Sequence, residues 1–166
     1  MTVIHNELKD LPLPQQLKYW AKNRPNVTAL RQKQYGVWNT ISWAEYEQQS
    51  RWFGLGMLQL GLKPGQTVAI LGENCKEWVF AQMGTAMLRC VTAGVYPTSP
   101  APEVEYLLSL AEAPIIVVED QEQLDKVLEI RHKLPTLLAI VVIDPRGLRK
   151  YDRTNLHDFT DVVELG

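Results

Sequence analysis

The chain has 166 residues, of which 46% are hydrophobic and 22% charged, with a formal net charge of −2. This is the length of one domain able to bury a real core, with the composition of a soluble globular protein. The slightly negative balance argues against a nucleic-acid partner, which needs a concentrated basic face, and no apolar run approaches the roughly 18 residues of a membrane-spanning helix.

The N-terminal stretch MTVIHNELKDLPLPQQ shows no basic segment followed by an apolar one, so no signal peptide is read there. Residues 13–23 predict a first helix with Leu17, Trp20 and Ala21 on one side, stopped by Arg24-Pro25-Asn26. Residues 27–33 and 37–41 flank Gln34-Tyr35-Gly36 and predict an antiparallel, peripheral β-hairpin with glycine at the turn. Ser42 followed by Glu45 is a capping-box pattern that opens a helix. Along it Trp43, Tyr46, Ser50, Phe53, Met57 and Leu60 recur at spacings of three and four, giving one packing face. Gly54 and Gly56 each cost that helix up to about 1 kcal/mol relative to alanine, a cost usually offset where another backbone approaches closely.

The centre of the chain is a strand–helix–strand unit: 67–71, 76–90 and 91–96. It is apolar on every side, as a buried parallel crossover requires. A short helix over 102–111 follows, then a strand at 115–118, a helix over 121–133 with Leu124, Val127, Leu128 and Arg131 in a stripe, and a strand at 137–143. Strands separated by helices imply an α/β fold, a mostly parallel sheet with helices on both faces. The domain reading is an N-terminal extension over 1–12, an α/β subdomain over 13–145 and a polar, less periodic tail over 146–166.

Candidate chemistry is sparse. Gly54, Gly56 and Gly61 lie inside a helix at the wrong spacing for a dinucleotide fingerprint. Gly72-Glu73-Asn74 does join a strand to a helix, where backbone N–H groups could receive an anion, but Asn74 serves equally as the helix N-cap. Glu119-Asp120 follows a strand at the end of the sheet where open parallel sheets place function, and is also a plain polar start for the next helix. His5, His132 and His157 are too scattered for a metal motif. Cys75 and Cys90 fall near the two ends of one helix, about 22 Å apart and too far for a disulfide. The five tryptophans read as core or hairpin packing, and no serine has a hydrolase-elbow setting. The bare pattern reaches a cytosolic α/β domain with a ligand-facing sheet edge.

The residues themselves say more. Gly61-Leu-Lys-Pro-Gly-Gln-Thr-Val-Ala-Ile-Leu-Gly-Glu-Asn followed by Glu77-Trp78 resembles the N-terminal part of AMP-forming acyl-CoA synthetases, members of the adenylate-forming superfamily. Ala93-Gly-Val-Tyr-Pro-Thr-Ser-Pro, Glu105-Tyr-Leu-Leu and Ile116-Val-Val-Glu-Asp match the same region in the same order, and Ile41-Ser-Trp-Ala-Glu-Tyr resembles its lead-in to the long helix. Within that family, Val95-Tyr-Pro-Thr, the segment beginning Glu119-Asp-Gln-Glu, and Asp144-Pro-Arg-Gly-Leu look most like bacterial long-chain fatty-acid–CoA ligases. The match covers residues 13 to 160 and is carried by number, order and spacing, not by one motif.

The resemblance implies an intact ATP-dependent enzyme that adenylates a fatty-acid carboxylate and transfers the acyl group to CoA, using ATP, Mg²⁺ and CoA. The family's Thr/Ser/Gly-rich phosphate loop, its aromatic–Thr–Glu metal element, its ribose-binding Asp and its catalytic Lys have no counterpart in these residues. The chain therefore reads as an N-terminal, catalytically inactive fragment with no catalytic or metal residue of its own and no bound cofactor. Gly94, Tyr96 and Thr98, where the second strand leaves the sheet, are the candidates for lining a substrate or CoA channel. The partners implied are fatty acid, ATP and CoA in the intact enzyme, with peripheral membrane contact left open, a cytoplasmic location, and a homodimer of the fragment formed through the apolar surface of helix 76–90. A self-contained ligand- or nucleotide-binding α/β module and a non-enzymatic interaction domain stand as alternatives.

Overall fold

The computed structural model describes residues 8–166. His5 and the first seven residues of the expected 1–12 extension lie outside them. Helix α1 (Leu13–Asn23) forms where the spacing predicts, with Leu17 buried. Strands β1 (Thr28–Gln34) and β2 (Val37–Ser42) pair antiparallel as a two-stranded hairpin. Its two-residue turn, Tyr35-Gly36, takes φ of 49° and 81°, the doubly left-handed geometry whose twist matches the flanking strands. Ser42 then caps α2 (Trp43–Gln59): its Oγ accepts from Glu45 N, and Glu45 Oε2 accepts from Ser42 N at 2.8 Å. This backbone bond is the main reason the Glu45 carboxyl titrates below the usual range.

The core is a five-stranded, all-parallel sheet in the order β4-β3-β5-β6-β7. Its strands are β3 (Thr67–Leu71), β4 (Val91–Val95), β5 (Ile115–Val118), β6 (Ala139–Val142) and β7 (Leu156–Asp158). On one face α4 (Ala101–Ala111) and α5 (Gln121–Ile130) cover Ala69, Leu71, Ile116, Val118, Ile140 and Val142. On the other, α1, α2, α3 (Lys76–Met87) and α6 (Phe159–Leu165) cover Val68, Ile70, Ile115, Val117 and Val141. Each inner strand is therefore buried on both sides, which is why Ile115–Val118 reads as an unbroken apolar run instead of an alternation.

The two glycines of α2 sit at close approaches. A Cβ on Gly54 would lie 3.0 Å from the carbonyl oxygen of Gly84 in α3, and a Cβ on Gly84 would lie 2.5 Å from that of Ser50. A Cβ on Gly56 would overlap the carbonyl of Val162 in α6. The absent side chains let three helices pack backbone to backbone, and this contact offsets the glycines' low helix propensity.

Several expectations need correction. Residues 146–166, expected as a polar and less periodic tail, contain regular elements: β7 extends the sheet, and α6 buries Phe159 and Val162 against α2, with Phe159 stacked on Phe53 at 4.2 Å. Cys75, not Asn74, is the N-cap of α3, its Sγ accepting from Trp78 N at 3.4 Å, and Asn74 is exposed. In α5, Leu128 is 41% exposed while Ile130 and Gln123 are buried in its place. Arg131 starts a 3-10 turn and donates to the carbonyls of Leu134 and Leu137, capping the connection to β6. The expected uncovered apolar surface on helix 76–90 is also absent. Phe80 and Met83 are buried, and Trp78, Val79, Met87 and Leu88 pack half-buried against the same core.

Candidate functional site

Helices α3 and α5 leave the neighbouring strands β3 and β5 toward opposite faces of the sheet. That reversal opens a crevice at the strands' C-terminal ends, the place where open α/β sheets bind ligands. A cleft of about 460 Å³ occupies it. Its floor is Glu119 and Asp120 after β5, and Cys75, Lys76 and Glu77 at the start of α3. Ile143, Asp144 and Arg146 after β6 form one wall, and Gln32, Gln34 and Tyr35 of the hairpin reach over from the other side.

Most of the charged groups of this cleft are held by specific partners. Glu119 Oε2 accepts from the backbone N of Glu73 at 2.7 Å, tying the β5 end to the loop after β3. Gly72 makes room for it, since a Cβ there would lie 2.8 Å from Glu119 Cβ. Asp120 caps α5 by accepting from Gln123 N at 3.2 Å. Asp144 accepts from the backbone N and the guanidinium of Arg146, which holds its carboxyl below the usual range. Lys76 N donates to Gln32 Oε1 at 2.7 Å, anchoring the hairpin to α3, while its Nζ lies 3.6 Å from Glu77. Burial pushes the Cys75 thiol up to about 11, so it stays protonated at neutral pH and is no nucleophile.

Four carboxylates and two cations line the cleft, which leaves it net negative and unsuited to a triphosphate. Among the described residues no group of three or more His, Cys, Asp or Glu side chains is placed to hold a metal ion. His132 is exposed in the 3-10 turn and His157 is half-buried in β7. The donor set of this cleft does not fit ATP or Mg²⁺, and no chemical step follows from it. What the arrangement does is lock three strand ends and a hairpin into one rigid rim.

Gly94, Tyr96 and Thr98 lie at the C-terminal end of β4, one strand away from this cleft and not among its walls. All three are exposed, Tyr96 by 79%. Val95 between the first two and Ser99 just after Thr98 are buried, and Ser99 N closes the turn on Tyr96 O at 3.0 Å. Lys126 of α5 pins the same turn through Pro97 O at 2.6 Å. Gly94 leaves space beside Trp78, whose Cζ2 lies 3.5 Å from where a Cβ would stand. Sequence reasoning missed the role of Gln32, whose only signal was its inward register position opposite Asn39, and the Asp144–Arg146 fork.

A doubly covered parallel sheet with its crevice at a strand-order reversal defines an open, doubly wound α/β layer. Comparison with known proteins makes this particular: the AMP-binding enzyme profile matches residues 17–163, and the chain belongs to that family. It is 36% identical over 141 residues to long-chain-fatty-acid–CoA ligase ACSBG1 of Rattus norvegicus, covering 85% of this chain and 19% of that protein. It is 37% identical over 141 residues to long-chain-fatty-acid–CoA ligase ACSBG2 of Xenopus laevis, with the same coverage. Among solved structures it superposes on the anthranilate CoA ligase AuaEII in complex with anthranoyl-AMP with a TM-score of 0.80 at 27% identity. That alignment covers 95% of this chain and 29% of that one. The chain thus spans about a fifth of the length of the curated relatives it matches.

Proposed function

We propose that this chain is the N-terminal α/β layer of an ATP-dependent, AMP-forming long-chain fatty-acid–CoA ligase. The observation that carries this reading is the family match over residues 17–163 together with 36–37% identity to long-chain-fatty-acid–CoA ligases. The complete enzyme takes fatty acid, ATP with Mg²⁺, and CoA, and works in the cytoplasm, in contact with membrane at most peripherally. The layer contributes shape: a rigid rim of strand ends against which substrate-binding segments pack. Gly94, Tyr96 and Thr98 line the substrate or CoA channel, a role their exposure at a strand end supports. Expression of the whole reading frame tests the proposal. It should convert a long-chain fatty acid, ATP and CoA to acyl-CoA, AMP and pyrophosphate, and Tyr96→Ala should raise KM for CoA or fatty acid more than it lowers kcat. A frame that ends without that activity would overturn it.

The 166-residue chain by itself self-associates as a two-fold dimer. Support for this lies in its exposed apolar side chains, including Val91, Tyr96 and Leu110 at 58%, 79% and 70% exposure.

A further inference from the structure

The two edges of the sheet are built differently. At one, β7 has three residues and ends in charge, with Asp158 held by Arg153. Short, charged edges resist pairing with another chain. At the other, β4 has five residues, and the whole run from Cys90 to Pro102 contains no Asp, Glu, Lys or Arg. Nor does β4 itself contain proline.

The hydrogen-bond phase of β4 is fixed. Val91 sits opposite Thr67 and donates to Gln66 O at 2.9 Å, so Val91, Ala93 and Val95 direct their backbone groups toward β3. Thr92 and Gly94 therefore direct theirs outward, so that among the described residues two N–H and two C=O groups along the edge have no strand partner.

We infer that β4 is the seam of the dimer: two copies pair antiparallel along this strand, with the two-fold axis at Ala93, joining two five-stranded sheets into one. This rests on the self-association proposed above and names its surface. In that register Thr92 of one copy exchanges both backbone bonds with Gly94 of the other, and the reverse pair does the same. Ala93 then faces its own copy at a closely spaced position, where a small side chain fits. Two-fold pairing brings each group near the axis close to its like, so an uncharged strand is what it requires.

Flanking side chains complete the contact. Glu105 of α4 reaches Lys133 at 2.8 Å, so that flank of the helix faces the α5 side. The opposite flank, with Leu107 half-buried and Leu110 exposed beside Glu103, lies away from α5 on a helix that packs on β3 and β4. Val91, Tyr96 and Leu110 together offer roughly 400 Å² per copy at their observed exposures, so with the strand edges the pair covers about 1,000 Å². That is the small end of specific interfaces. Dimerisation is therefore expected at protein concentrations on the order of 100 µM. A chain paired this way covers Gly94 and Tyr96 and withholds them from any ligand.

Sedimentation equilibrium of the full chain, combined with edge variants, tests this. Wild type is expected to dimerise. Gly94→Pro, which removes an outward N–H and none of the β3 bonds, and Thr92→Lys, which places a charge on the edge, should both be monomeric with unchanged circular dichroism. In a Cys75→Ser/Cys90→Ser background, Ala93→Cys should form a covalent dimer on mild oxidation and Thr92→Cys should not, because only position 93 meets its own copy at about 4.5 Å between Cα atoms. A wild-type dimer that persists in both edge variants, or fails to cross-link through Ala93→Cys, overturns the β4 seam while self-association stands. A wild-type monomer at that concentration overturns both.

Discussion

Replacing Gly84 by alanine probes the crossing of α2 and α3 that the fold depends on. The added Cβ would stand 2.5 Å from the carbonyl oxygen of Ser50 and 3.0 Å from the amide of Gly54. Both obstacles are backbone, so no side chain can swing away. Ordinary contact begins near 3.4 Å, and the helices must part by something approaching 1 Å. Alanine gains about 1 kcal/mol in helix propensity, while forced separation of a packed interface costs about 1–3 kcal/mol. With Phe53, Met57, Phe80 and Met83 buried around the crossing, the upper end of that range applies, leaving a net loss of about 2 kcal/mol. Gly54→Ala meets its nearest atom at 3.0 Å, so its steric cost and propensity gain should roughly cancel. Urea unfolding followed by tryptophan fluorescence reads the difference, with Gly84→Ala lowering the midpoint by about 1 M at an unchanged slope. A Gly84→Ala protein as stable as wild type would show that the helices are free to separate, and the steric reading of the crossing would fall.

Other consequences are simpler to check. Ser50 is fully buried with its Oγ unpaired, so Ser50→Ala should be neutral or stabilising by up to about 1 kcal/mol in the same urea assay. Gly56→Ala should undock α6 through its clash with Val162, seen as faster hydrogen exchange over residues 159–165. Glu45 has a depressed folded pKa, so its contribution is present above the unfolded pKa near 4.3 and lost as pH falls through the lower folded value. A Glu45→Gln variant should therefore lose less stability than wild type on acidification. Cys75 has a raised pKa, so its contribution holds below about pH 8.5 and fades as pH rises toward about 11; iodoacetamide at pH 8 should modify it far more slowly than a free thiol. The 166-residue chain should show no fatty-acid-dependent exchange of pyrophosphate into ATP, measured against a heat-killed control.

How legible these features were depended on how local their causes are. The hairpin turn and the Ser42–Glu45 box are set by residues within three positions of one another, and α1 by the spacing of its own apolar side. The structure places all of them where the sequence does. Strand β7 escaped because an edge strand of three residues, Leu156-His157-Asp158, has no room for a period and carries charge. Helix α6 left a faint signal, Phe159, Val162 and Val163 at helical spacing after Asp158, too short to stand out without its partner surface on α2. The N-cap of α3 fell to Cys75 over Asn74 because burial against the hairpin, not capping propensity, fixed where the helix begins. The cleft was legible only at Glu119-Asp120. Much of the rest is assembled by pairing across more than forty residues of sequence, as in Glu73 with Glu119 and Gln32 with Lys76, while the Asp144–Arg146 fork is local.

The chemistry of the rim follows from the same assembly. A carboxylate that is to act as acid or base must be left free to change its proton. Here Glu119 is occupied with a backbone amide, Asp120 with the first turn of α5, and Asp144 with Arg146. Each of these bonds fixes a segment outside the sheet ladder: the loop after β3 to the end of β5, the first turn of α5 to β5, and the turn after β6 to that strand's end. The acidic residues at the functional end of this sheet thus hold geometry. A layer whose carboxylates tie its own loops and turns together is suited to presenting a surface to other segments, which is the part proposed for it above.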